Sequence, residues 1–200
     1  MLFISEHGIV DDERIKVKIF PNIERSRMSA VHGIVVHQTG QVAMGSTINS
    51  YQDKGANGAH FLIDKDGTIH QTAYLKRRTN HVGKLRSRCL ATKSCSPAEF
   101  NSSYAIRNKY TQLSQREHGK QFPDRYPSNM DSVGIEIVGG IASGLGEDAV
   151  YESVTHQQNA SLQWLVRALA ETLQVSMSEV YRHPDLSYKT KTEAKTAKWN

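Results

Sequence analysis

The chain has 200 residues, of which 38% are hydrophobic and 22% charged, and 25 basic against 20 acidic side chains give a formal net charge of +5. This length and composition predict a single globular domain over residues 1–200 with enough chain to bury a core, and they exclude a fibrous or disordered chain. No apolar run reaches the roughly 20 residues of a membrane-spanning helix, and the N-terminal sequence lacks the basic and apolar regions of a signal peptide.

Strands and helices alternate in the first part of the chain. An alternating stretch at residues 15–20 is typical of an edge strand, and the β-branched run at residues 34–37 is typical of a buried strand that ends in a histidine. A helix is predicted for residues 42–55, with Gly55 as its C-cap. Residues 60–75 predict a β-hairpin, because their Asp-Gly turn supplies the residue with positive φ that such a turn requires.

A long polar segment separates this part from the rest of the chain. Residues 84–131 are weakly patterned, and so long a loop is uncommon in a compact domain unless it is functional or carries small elements of its own. A buried strand at residues 133–139 and an amphipathic helix at residues 155–173, capped by Thr155, come next. Residues 179–188 predict a short extended piece and a turn. The alternation of strands and helices predicts an α/β fold.

The cysteines and the basic residues leave alternatives open. Cys89 and Cys95 do not have zinc-ribbon spacing, and they fit either two thiols in a reducing cytosol or a local disulfide in an oxidising compartment. Basic side chains gather at residues 75–88 and 189–198 without interleaved aromatic residues. That pattern favours a solvated basic face, so nucleic acid is not an expected partner.

A set of three residues could hold a metal ion with one position left open. His37 ends the predicted buried strand, where α/β sheets usually bind ligands, although a lone histidine there is more often structural. His183 and Glu193 would complete an N/N/O set suited to Zn²⁺. Lys191 could stabilise an oxyanion beside it. Because the chain has nine histidines, spacing alone makes this set a hypothesis of low specificity.

Glu136 lies in the middle of the second apolar strand. Either this is an edge strand that exposes the carboxylate to water, or the carboxylate is buried at a considerable cost in free energy. A buried carboxyl group has a raised pKa, which suits a general base that takes a proton from metal-bound water.

Five sequence blocks, in this order, resemble the amidase-2 family of zinc N-acetylmuramoyl-L-alanine amidases, which are related to peptidoglycan recognition proteins and to phage lysozyme-amidases. The blocks are IVVHQTG (34–40), GAHFLIDKDGTIHQ (58–71), TNHVGK (79–84), SVGIEIVGG (132–140) and RHPDLSYKTKTE (182–193). The resemblance covers about residues 34–193 and implies a central, mainly mixed β-sheet flanked by helices. Residues 84–131, which exceed the family pattern, would form an added lid or specificity loop.

The resemblance implies metal-binding and catalytic roles. The family's zinc ligands fall on His37, His183 and Glu193, the last in place of the usual aspartate or cysteine. The lysine two residues before the third ligand falls on Lys191. The glutamate of the family's Gly-Ile-Glu strand, which acts as the base, falls on Glu136.

Three further residues are expected at the substrate. His81 matches the histidine of the family's Trp-His-Ala-Gly block, Asn80 occupies the aromatic position of that block, and Gln38 follows His37. Ala59 occupies the position of the family's tyrosine variant of the base. The chain therefore resembles the branch that uses glutamate.

The resulting hypothesis is a zinc-dependent amidase that hydrolyses the bond between N-acetylmuramic acid and L-alanine in peptidoglycan. A receptor that binds peptidoglycan without cutting it is the alternative. Such receptors typically lose a metal ligand, whereas this chain keeps a complete candidate set.

Three biological roles are compatible with the sequence: a cytoplasmic recycling enzyme, a phage endolysin, and an antibacterial effector delivered by a secretion machine. Without a signal peptide, we expect synthesis in the cytoplasm and action in the periplasm or cell wall after delivery or lysis. A delivered effector would require an immunity protein in the producing cell.

Overall fold

A seven-stranded mixed β-sheet forms the centre of the computed structural model, which describes residues 1–200. The strands are β1 (Phe3–Ile4), β2 (Val10–Asp11), β3 (Ile15–Val17), β4 (Glu24–Arg27), β5 (Gly33–Gly40), β6 (Phe61–Ile63), β7 (Ile69–Gln71), β8 (Arg77–Thr79), β9 (Ser132–Ser143), β10 (Val150–Tyr151) and β11 (Val180–Arg182). The helices are α1 (Met44–Tyr51), α2 (Arg88–Thr92), α3 (Pro97–Ala105), α4 (Tyr110–His118), α5 (His156–Leu173) and α6 (His183–Leu186). None of these helices is long and apolar enough to cross a membrane.

The sheet has the strand order β11-β5-β9-β6-β7-β3, with β10 paired to β9. Strand β5 lies parallel to both β11 and β9, and β9 lies parallel to β6, whereas β6 and β7 form the predicted antiparallel hairpin. Strand β3 ends the sheet, which confirms the predicted edge strand. Strand β9 lies between β5 and β6, so its Glu136 does not belong to an edge strand.

Helix α5 covers one face of the sheet. Its leucines pack in the main core against alternate residues of β5 and β9, among them Ile34, Val36 and Ile135. Successive side chains of a strand point to opposite faces, so His37 and Glu136 lie on the face opposite α5. The apolar alternation of the two strands therefore assigns one face to the core and leaves the other for the candidate site.

The structure confirms the predicted start of one helix, and the predicted end of the other was wrong. Helix α5 begins as predicted, because the Thr155 hydroxyl accepts a hydrogen bond from the Gln158 amide in a full capping box. Helix α1 ends at Tyr51 rather than at Gly55, which takes φ +75° in the following turn. The guanidinium of Arg25, on β4, donates a hydrogen bond to the Gly55 carbonyl. This bond links the turn after α1 to the chain that precedes β5. Gly55 therefore belongs to a turn that Arg25 holds, and the helix ends one turn earlier than predicted.

Residues 84–131 contain α2, α3 and α4, which confirms that this segment carries small elements of its own. Cys89 and Cys95 form a disulfide that joins α2 to the approach to α3. Near the end of the segment, the Arg125 guanidinium forms a buried ion pair with Asp131, at 2.9 Å. Both of these links lie within the segment, and an ion pair between Arg88 and Glu179, at 2.7 Å, joins it to the chain just before β11.

Candidate metal centre and its cavity

The parallel sheet brings four candidate residues together. His37 on β5 is the direct pairing partner of Glu136 on β9. His183 begins α6 immediately after β11, which is the other parallel neighbour of β5. Glu193 lies in the turn that follows. Because parallel strands end at the same edge of a sheet, the two histidines and the two carboxylates meet there.

His37, His183 and Glu193 form a compact and buried donor set. The Oε1 atom of Glu193 lies 2.9 Å from Nδ1 of His183 and 3.6 Å from Nδ1 of His37. One ligand atom from each residue lies within 4.8 Å of the others, and the three residues are at most 5% exposed. Two imidazole nitrogens and one carboxylate oxygen are a donor set that Zn²⁺ prefers.

His183 faces an oxygen acceptor at both ring nitrogens. Its Nε2 lies 2.8 Å from the Val82 carbonyl, and its Nδ1 faces the Glu193 carboxylate. A neutral imidazole carries only one N–H, so it can satisfy only one of these oxygens. The second contact therefore requires either one more proton, shared between the imidazole and the Glu193 carboxylate, or a metal ion. The arrangement therefore fits a bound cation at the Nδ1 side of His183.

Hydrogen bonds also determine which nitrogen of His37 carries a proton. The Ser132 hydroxyl donates to the Ser128 carbonyl and so accepts from Nε2 of His81, at 3.3 Å. Nδ1 of His81 is then an acceptor, 3.0 Å from Nε2 of His37. This leaves the lone pair of His37 on Nδ1, toward Glu193. Burial and the neighbouring His183 lower the pKa of His37 to about 4, so the ring is neutral, as a metal ligand must be.

Glu136 lies next to this donor set without a hydrogen-bond partner of its own. Its Oε2 atom is closed off from solvent and makes no hydrogen bond. Burial, together with the negative charge of Glu193, raises the pKa of Glu136 to about 8. A carboxyl group in this state accepts a proton near neutral pH.

A polar cavity of about 530 Å³ opens above the site. The predicted residues among those that line it are His37, Gln38, Asn80, His81, Glu136, His183 and Glu193. The Gln38 amide is occupied inside the chain, since Nε2 donates to the Glu152 carbonyl and Oε1 accepts from the Ala194 amide. Gln38 thus links β5, next to His37, to the segments that contain Glu152 and Ala194.

The structure does not bring Lys191 to the cavity. Its side chain is exposed and lies outside the lining, whereas Lys189 lines the wall. The charge of Lys189 lowers the pKa of Glu136, against the stronger effect of burial. Residues two apart share a side only in an extended chain, and residues 191–196 form turns. Hence Lys191 does not point the same way as Glu193.

Several lining residues had no sequence signal. They lie in turns, loops or short strands, in which hydrophobic periodicity carries no information. These residues are Asn57, Asn129, Tyr151 and Lys189. Asn129 is the only residue of the segment 84–131 that lines the cavity. The three helices of that segment lie away from it, which gives no support to a lid.

Comparisons with known proteins give the family and the fold of the chain. The family model Amidase_2, described as N-acetylmuramoyl-L-alanine amidase, matches residues 27–197. The fold is shared with three solved structures: a selenomethionine derivative of AmpD (15% identity, TM-score 0.55, covering 92% of this chain and 88% of that chain), PlyL (13%, 0.51, 90% and 84%) and the N-acetylmuramoyl-L-alanine amidase LysC from Clostridium intestinale (19%, 0.50, 86% and 83%). No curated protein sequence matches significantly.

We expect Glu136→Gln to stabilise the chelator-treated protein at alkaline pH. The folded state keeps a proton on Glu136 up to about pH 8, whereas the unfolded chain releases it near pH 4.5. The free energy of unfolding therefore falls as pH rises between these values, and the full penalty applies above pH 8. The amide removes this penalty, by an amount on the order of a few kcal/mol.

Urea denaturation at pH 5 and pH 8.5 measures this difference. The gain from Glu136→Gln should be small at pH 5 and large at pH 8.5, and the exposed control Glu13→Gln should show no such change. An equal effect of Glu136→Gln at both pH values would contradict the assignment of a raised pKa.

Proposed function

Given that the chain belongs to the N-acetylmuramoyl-L-alanine amidase family, we propose that it is a zinc-dependent enzyme that hydrolyses the bond between the lactyl group of N-acetylmuramic acid and L-alanine in peptidoglycan. One observation carries the proposal: a buried donor set of His37, His183 and Glu193 adjoins the unpaired carboxyl group of Glu136 in a polar cavity. Zn²⁺ bound at this set would polarise the scissile carbonyl and acidify a water molecule.

Glu136 is the proposed general base. It takes a proton from the attacking water and returns it to the nitrogen of L-alanine as the amide bond breaks. Its pKa near 8 in the chain alone falls when a cation occupies the neighbouring donors, because opposite charge favours the carboxylate. The carboxylate is then available as a base at neutral pH.

Lys189 takes the electrostatic role that the sequence predicts for Lys191. Lys189 lines the cavity, and its charge lowers the pKa of both His37 and Glu136. A positive charge in this wall favours a transition state that gains negative charge. Lys191, outside the cavity, has no such access.

The complete set of groups favours an enzyme over a receptor. A protein that only binds peptidoglycan needs neither two buried histidines beside a carboxylate nor a second carboxyl group without a partner, and such polar groups are costly to bury. These groups serve a reaction, whereas binding alone would not require them.

The disulfide between Cys89 and Cys95 bears on where the protein acts. Disulfides persist in oxidising compartments, so it supports action in a periplasm or outside the cell. A phage endolysin or a delivered antibacterial effector fits this setting better than a cytoplasmic recycling enzyme. An effector would require an immunity protein that blocks the cavity in the producing cell.

Digestion of purified peptidoglycan sacculi tests the proposed reaction. The zinc-loaded protein should release peptides with a free L-alanine amine, identified by mass analysis, and a chelator should abolish the release until zinc is restored. Glu136→Gln should bind zinc but release product at least 100-fold more slowly. Binding of the protein to intact sacculi without any release would favour the receptor instead.

A pair of lysine variants tests the proposed role of Lys189. Lys189→Met should lower kcat by about 10-fold or more, because it removes the charge in the cavity wall. Lys191→Met, which removes the same charge two residues away, should leave kcat within two-fold. The opposite order of effects in steady-state kinetics would return the role to Lys191.

His81→Ala should weaken zinc binding without removing a ligand. His81 accepts the hydrogen bond that orients His37, and loss of such outer partners typically lowers metal affinity by about 10–100-fold. Competition with a chromogenic chelator measures the zinc affinity, and the exposed His156→Ala is the control. Unchanged affinity in His81→Ala would assign His81 to substrate contact alone.

A further inference from the structure

Tyr151 presents a free hydroxyl to the cavity. Two residues with hydroxyl groups line it, Thr39 and Tyr151. The Thr39 hydroxyl already donates to the Gln41 carbonyl and accepts from the Gly139 amide. The Tyr151 hydroxyl has no hydrogen-bond partner in the chain, although the Tyr151 backbone amide donates to the Thr192 hydroxyl. It is therefore the cavity hydroxyl that can donate to a bound molecule.

An irregular strand pairing aims this side chain. Val150 of β10 pairs with Ser143, whereas Tyr151 pairs with Ile141, so the register shifts between them in a β-bulge. Bulges redirect a side chain and increase the local twist. The Tyr151 ring passes over the end of β5, since a Cβ built on Gly40 would lie 3.8 Å from the phenolic oxygen. Gly40 is three residues from His37.

The backbone around Tyr151 is held on both sides. The amide of Glu152 donates to the Gly140 carbonyl at 2.9 Å, and the Glu152 carbonyl accepts from the Gln38 amide at 2.8 Å. On the other side, the Thr192 hydroxyl donates to the Ala149 carbonyl at 2.6 Å. These bonds fix the backbone of the strand to the segments that carry His37 and Glu193, so the base of the Tyr151 side chain is placed before substrate binds.

Two carboxylates act on the Tyr151 hydroxyl. Burial raises its pKa to about 12, and the negative charges of Glu193 and Glu136 contribute. The group therefore stays protonated, as a donor. It also lies within electrostatic reach of both a candidate metal ligand and the proposed base, the two groups between which the reacting carbonyl must sit.

We propose that Tyr151 is a catalytic residue whose hydroxyl donates a hydrogen bond to the oxygen of the scissile carbonyl as that oxygen becomes negatively charged. This inference rests on the proposed amidase function. Glu136 is occupied with the proton of the attacking water, and a carboxylate cannot donate to an oxyanion. Lys189 supplies charge from an exposed side chain, whereas Tyr151 supplies a hydroxyl donor on a partly buried side chain. Such donors act mainly on the transition state.

Steady-state kinetics of Tyr151→Phe on a soluble N-acetylmuramoyl-L-alanine peptide test the proposal with the zinc-loaded protein. The substitution keeps the ring and removes only the hydroxyl. We expect kcat to fall by about 100-fold. KM and zinc affinity should change by no more than about two-fold, and Tm by no more than about two degrees. Tyr104→Phe, which removes an exposed hydroxyl on α3, should leave kcat unchanged.

The other outcomes overturn the proposal. A raised KM with an unchanged kcat would make Tyr151 a ground-state binding residue. A loss of zinc affinity or of Tm in Tyr151→Phe would make it structural, and full activity would give its hydroxyl no role. A wild-type protein that binds zinc but does not cleave the peptide or sacculi would overturn the amidase function itself, and that result is evident before any variant is compared.

Discussion

The parallel pairing of β5 with β9 determines where each candidate catalytic group lies. In this register, His37 stands opposite Glu136, and a shift of one residue would turn one of them into the core beneath α5. The register is held by apolar residues on the other face, such as Ile34 and Ile135, which pack against α5 with no exposed surface. Core packing on one face thus positions the chemistry on the other.

The sequence predicts those parts of the molecule in which hydrophobic periodicity is strong. Strands β5 and β9, the β6–β7 hairpin and helix α5 are where apolar alternation, the Asp-Gly turn and Thr155 indicate them. The sequence does not place the individual helices between residues 84 and 131, because each has only five to nine residues and buries few apolar side chains. The predicted end of α1 was wrong because Gly55 takes its positive φ in a separate turn, which Arg25, distant in sequence, contacts.

Site residues could likewise be predicted on regular strands but not in turns or at a β-bulge. His37 and Glu136 lie on regular strands, where spacing determines direction, and the structure brings both to the cavity. Lys191 lies in a turn, where a spacing of two residues does not determine the side on which a residue faces, and Lys189 lines the cavity instead. Tyr151 is placed by a β-bulge, a feature with no signature in the pattern of this sequence. Local irregularities therefore account for what sequence analysis missed.

The central claim is that the buried set of His37, His183 and Glu193 binds zinc, and anomalous X-ray diffraction at the zinc edge tests it most directly. Crystals of the zinc-loaded protein should show one anomalous peak about 2.0–2.2 Å from Nδ1 of each histidine and from a carboxylate oxygen of Glu193. A peak at another site, or coordination through Nε2 of His37, which faces His81 at present, would contradict the account.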